Sequence, residues 1–153
     1  MSNIPFHGNL IYARAFAESN FDTPDQFVNK FLDTLTHKYT VPSDHPSVVI
    51  KYSFLGIRTL GQFIPPNTII LNKIYLDKLF TKYKSSNQLE KDLATLLMIR
   101  VIVHEYAHYL QQFYFLGHKR KETDPDIFAH SYTGIDERST WILDYLLNFG
   151  EIW

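Results

Sequence analysis

The chain has 153 residues, of which 45% are hydrophobic, 20% charged and 16% aromatic, and 15 basic side chains against 16 acidic ones leave a net charge of -1. This length and composition exclude a disordered chain and point to one globular domain over 1–153 with a ring-rich core, while the near-neutral charge offers no field to gather nucleic-acid phosphates or an anionic membrane. No cysteine is present, which excludes disulfides and thiolate metal ligands.

The start MSNIPFHGNL lacks a basic region followed by an apolar core, and no run is long and apolar enough to span a bilayer, so a cytoplasmic protein is expected. The first element predicted in chain order begins at Thr23-Pro24-Asp25-Gln26, where threonine at the cap, proline at the first helical position and glutamine at the third make a capping-box start. Phe27, Phe31, Leu32 and Leu35 recur at helical spacing to about Tyr39, and Val41-Pro42 and His45-Pro46 break the pattern. Residues 47–54 (SVVIKYSF) alternate Val48, Ile50, Tyr52 and Phe54 against Val49, Lys51 and Ser53, the period of a half-buried strand. Gly56 marks a turn, residues 60–63 (LGQF) read as a short returning strand, and Thr68 to Asn72 reads as another after Pro65-Pro66, which argue for a sheet edge nearby. A small, mostly antiparallel sheet is predicted.

A short helix is predicted over Ile74 to Lys84. Asn87 with Glu90 three residues later opens a long one, with a helical pattern running to Leu116 and Gly117 as its stop. Residues 117–134 are polar and irregular, and the basic knot His118-Lys119-Arg120-Lys121 reads as a solvated helix end. A final helix is predicted over Asp136 to Asn148.

The long helix carries VIVHEYAHYLQQ over residues 101–112. Residues four apart lie one turn above each other on one face, so His104 and His108 can each point a nitrogen at a single ion. Glu105 sits about 100° round the helix from His104 and can reach a water on that ion without binding it. The three residues then have separate roles. A zinc ion held by the histidines acidifies water, and the glutamate takes the proton and later hands it to a leaving amine. Against this stands a plain reading, two histidines on a partly buried face satisfied by hydrogen bonds.

Zinc that keeps an open position for water needs a third protein ligand. The longer zincin motif would place glycine and histidine at positions 111 and 114, where this chain has Gln111 and Tyr114. The remaining candidates are Glu137, His118, His130, Asp136 and Asp144. Glu137 opens the final helix, where a carboxylate is favoured by the helix dipole. His130 and Tyr132, in the segment before that helix, are the candidate donors for a developing oxyanion.

HEYAH on a long helix, followed by Asp136-Glu137-Arg138 at the head of a C-terminal helix, resembles the minimal gluzincins, and in particular the peptidase domain of the ImmA/IrrE type. The resemblance spans most of residues 23–149. It implies an α+β, zincin-like fold in which the sheet packs on the HExxH helix and a C-terminal glutamate helix, with Zn2+ held by His104, His108 and Glu137 and with Glu105 as general base and acid. No aspartate stands four residues past Glu137 to orient a ligand histidine, and Asp144, seven residues on and on the same face, is the candidate substitute. The implied activity is cleavage of a peptide or a specific intracellular protein, a repressor or regulator by family analogy. The alternative is a zincin-like domain that binds a peptide or protein partner without cutting it. Thr68 to Asn72, placed at the sheet edge above the cleft, would let a peptide add as an antiparallel strand.

Overall fold

The computed structural model describes residues 7–56 and 59–113. Its elements are α1 (His7–Ala17), α2 (Pro24–Lys38), β1 (Val49–Ser53), β2 (Gly61–Ile64), β3 (Thr68–Asn72), α3 (Lys73–Tyr83) and α4 (Gln88–Leu110). The fold is α+β. The predicted final helix, with Asp136, Glu137 and Asp144, lies outside the described residues, as do His118, His130 and Tyr132.

Both predicted caps form. The Thr23 side chain accepts from the Gln26 amide at 3.2 Å, and the Asn87 side chain accepts from the Glu90 amide at 3.1 Å, each satisfying a donor that the first helical turn leaves without an internal partner. The return arm differs from a capping box in both cases, since Gln26 accepts from the Asp22 amide and Glu90 accepts from the Ser85 hydroxyl. Helix α1 has no counterpart among the predicted elements. Two of its inward positions are alanines, Ala13 and Ala17, so its apolar stripe is too slight to stand out as a periodic signal. The long helix ends sooner than predicted, because the Gln112 and Phe113 amides bond back three residues to Tyr109 and Leu110 and tighten the chain into a turn.

The sheet is mixed, with order β1-β3-β2, not mostly antiparallel: β1 runs parallel to β3, and β2 runs antiparallel to it. Asn72 explains the arrangement. Fully buried at the end of β3, it donates from Nδ2 to Gly56 O at 2.9 Å and Thr59 O at 2.7 Å, and its amide donates to Leu60 O at 2.9 Å. The connection leaving β1 is thereby tied across the end of β3, and β2 starts on the far side. Gly56, at φ +98°, supplies the left-handed backbone conformation within that connection. Strand β3 is consequently central and cannot accept a peptide at its edge, and β2 is an edge among the described strands.

The core joins α1, α2, α3 and α4 through a cluster of rings, with Phe27, Phe31 and Tyr83 fully buried and Phe16 packed edge-on against Phe27 and Phe31. Tyr83 ties this cluster to the backbone. Its hydroxyl donates to Ala17 O at 2.9 Å and accepts from the Phe21 amide at 3.1 Å, and burial raises the phenol above its ordinary pKa, so it remains a donor. Replacing Tyr83 by phenylalanine would leave both groups buried without that partner, for an expected loss of about 1–3 kcal/mol. Urea denaturation reads this directly, and an unchanged midpoint would show that the hydroxyl contributes nothing. Among the described residues, no helix is long and apolar enough to cross a membrane.

Candidate metal centre

The first half of α4 is buried on every side from Asp92 to Ile99, as expected of a helix that is apolar nearly all round. Its one acidic group there, Asp92, is held by Arg14 of α1, whose Nη2 donates at 2.8 Å, and by Gln88 Nε2 at 2.8 Å. Such a carboxylate is tolerated in a core because its oxygens are satisfied. The second half changes character. From 100 to 110 only Arg100, Val101, His104 and His108 are partly exposed, a stripe along one side of the helix.

Strand β2 lies along that stripe. Its period-2 alternation turns Gly61 and Phe63 toward α4 and leaves Gln62 and Ile64 exposed. Two residues of strand advance the chain about 6.6 Å and one helical turn about 5.4 Å, so alternate strand positions meet successive turns. Phe63 stacks on the His108 ring, with centroids 6.4 Å apart and planes within 7°, and meets Tyr109 edge-on at 6.3 Å. Gly61 faces Glu105. A Cβ at position 61 would stand 3.0 Å from Glu105 Cγ, 3.1 Å from Val101 Cγ1 and 3.2 Å from Glu105 Oε2, so strand and helix approach at a distance that only glycine permits without displacement.

His104, Glu105 and His108 each present a ligand atom, and these atoms lie within 4.8 Å of one another. The histidine rings are 5.1 Å apart and inclined at 74°. Glu105 is buried, 6% exposed, and with His104 it lines a cleft of about 260 Å³ whose other walls are Thr59, Leu60, Gly61, Arg100 and Val101. At the end of the helix the Gln111 side chain, itself 6% exposed, accepts from His108 Nδ1 at 3.0 Å through Oε1. With an amide oxygen facing it, Nδ1 is the nitrogen placed to carry the proton, and Nε2 would then keep its lone pair for an ion. Two imidazoles and a nearby carboxylate suit zinc by donor type and by open access to a cleft.

The helix end is tied to the turn between β2 and β3. Pro66 O accepts from Gln112 Nε2 at 2.9 Å and from His45 Nε2 at 3.1 Å, and the His45 ring packs edge-on against Phe113 at 4.7 Å. His45 is thus engaged in packing and not in the cluster. Tyr106 and Tyr109 are buried packing residues, and Tyr109 donates to Pro46 O at 3.1 Å.

The structure therefore brings together His104, Glu105 and His108 and carries no description of Glu137, His130 or Tyr132. Sequence reasoning missed Gly61, Phe63, Arg100 and Gln111. A glycine inside a four-residue strand was a signal of close backbone approach. Gln111 stands three residues after His108, which is contact spacing on a helix. Comparison of the chain with protein-family models, with curated proteins and with solved structures finds no match in any of the three.

Proposed function

We propose that this chain is a zinc-dependent endopeptidase of the gluzincin type, similar to the ImmA/IrrE-type peptidases, acting on a peptide or a specific protein in the cytoplasm. The observation that carries the reading is the convergence of His104, Glu105 and His108 within 4.8 Å beside an open cleft, with Glu105 buried against the edge strand.

In this reading His104 and His108 hold the ion from one face of α4, and Glu137, from the resemblance, is the third ligand. Bound zinc supplies an acidified water and a positive charge that polarises the scissile carbonyl. Glu105 accepts the proton of the attacking water and delivers it to the leaving amine, so that the C–N bond breaks to a carboxylic acid and an amine. His130 and Tyr132 are the candidates for holding the oxyanion. The substrate backbone pairs with β2, the edge strand that lines the cleft, in place of β3.

Elemental analysis of the purified protein beside a His104→Ala/His108→Ala double variant tests the metal. The expected result is about one zinc per chain in the first, as a three-ligand site requires, and near none in the second. A wild-type protein that takes up no zinc on reconstitution would overturn the reading. Zinc without cleavage of any peptide in a diverse library would instead assign a binding domain.

A further inference from the structure

The gluzincin pattern would bring an aspartate from the C-terminal helix to orient a ligand histidine, and this chain has none at that spacing. Helix α4 carries a substitute of its own. Gln111 sits in the first position past the helix, with φ -58° and ψ -20° and its amide donating to Ala107 O at 2.9 Å, so its backbone continues the helical path. Its side chain therefore projects beside that of His108, three residues back, and its Oε1 lies 3.0 Å from His108 Nδ1. A carbonyl oxygen can only accept, so the ring nitrogen facing it must carry the proton.

We propose that Gln111 is the positioning residue of the candidate metal site: it holds His108 in the Nδ1–H tautomer and fixes the ring so that Nε2 is the ligand atom. This rests on the zinc reading above and extends it to a residue outside the HExxH motif. Three observations support it beyond the distance. Gln111 is 6% exposed, so water does not compete effectively for its carbonyl. The Phe63 ring lies within 7° of parallel to the His108 ring at 6.4 Å between centroids, which limits tilting while the hydrogen bond limits rotation. The adjacent Gln112 is anchored to Pro66 O and Tyr109 O, which holds the turn carrying Gln111 in place. A ligand imidazole whose other nitrogen donates to a fixed acceptor is more basic and better aimed than one left to rotate.

The chemistry gives Gln111 a definite substitution pattern. Leucine fills similar volume with no acceptor and leaves the ring free to adopt either tautomer. Glutamate retains an acceptor at the same reach. Zinc affinity, measured by competition with a chromophoric chelator, is expected to fall about 10- to 100-fold in Gln111→Leu and to recover to within a few-fold of wild type in Gln111→Glu. A purely structural role for the glutamine would be met as well or better by leucine in a buried position.

Long-range nitrogen–proton correlation spectra of the metal-free, histidine-labelled protein give a second readout that does not depend on zinc. The expected wild-type spectrum shows His108 protonated at Nδ1, with that preference lost in Gln111→Leu. An Nε2–H tautomer in the wild type, or wild-type zinc affinity in a folded Gln111→Leu protein, overturns the proposal. If the wild type takes up no zinc, the peptidase reading fails on its own account. The tautomer spectra then decide whether Gln111 orients His108, the Nδ1–H form supporting it and the Nε2–H form overturning it.

Discussion

Replacing Glu105 by glutamine is expected to lower peptide hydrolysis by about 10²–10⁴-fold while leaving the protein folded and its zinc content unchanged. The reason begins with shape. Glutamine has the same heavy-atom outline as glutamate, so it fits the buried position between Gly61, Val101 and the two histidines without new contacts. What changes is the ability to take a proton. A neutral amide cannot accept one from the attacking water, so the step assigned to Glu105 loses its base, and the leaving amine loses its acid. Retention of the ion follows if His104 and His108 are ligands and Glu105 is not. Mass spectrometry of a peptide mixture incubated with each protein, paired with elemental analysis, separates the cases. Equal cleavage by variant and wild type would remove Glu105 from the mechanism, and loss of zinc with loss of cleavage would make it a ligand.

The second large effect is expected at a residue with no side chain. Gly61 does not have a left-handed backbone, so space alone explains the glycine. In Gly61→Val the added Cβ meets Glu105 Cγ at 3.0 Å and Val101 Cγ1 at 3.1 Å, and the branched methyl groups extend further. Two effects on stability oppose each other. Valine suits a strand better than glycine by up to about 1 kcal/mol, whereas overpacking a close contact costs about 1–3 kcal/mol, so the variant is expected to fold with a modest net loss. Function is affected more. The strand cannot easily retreat, because β2 is paired along its length with β3, so the relief falls on the Glu105 side chain. The Cβ alone requires Glu105 to give by a few tenths of an ångström, and the branched methyl groups add to that, toward the roughly 1 Å of misplacement that costs on the order of 10²-fold in rate. The kinetic signature is a fall in kcat with zinc content preserved, and a wild-type kcat in Gly61→Val would show that Glu105 does not work from the position it holds beside β2.

The two results together bear on how such a small cleft is built. Strand β2 serves it twice, since its inward face sets the position of Glu105 and His108 through Gly61 and Phe63 while its outer edge is the proposed docking line for a peptide backbone. Docking geometry and the position of the proposed base are then referred to the same four residues. Arg100, one turn before His104 on the same wall, adds the only arginine or lysine among the described cleft residues.

Local features of this protein were legible in its sequence because they depend on neighbours a few positions away. The Thr23 and Asn87 caps, the extents of α2, α3 and the three strands to within a residue or two, and the placement of His104, Glu105 and His108 on one helix all follow from the helical and strand periods and from side chains that bond the adjacent backbone. The tertiary structure alone decided the order of the strands, because runs of four or five apolar-alternating residues specify a buried face and carry almost no information about the partner on either side. Here Asn72 ties the connection from β1 across the end of β3, where burial of β2 against α4 places that strand. From that one crossing come the central place of β3, the edge place of β2 and the contact of Gly61 with Glu105. Two residues 44 positions apart in a chain cannot announce that they touch, since only burial of the surfaces between them brings them together.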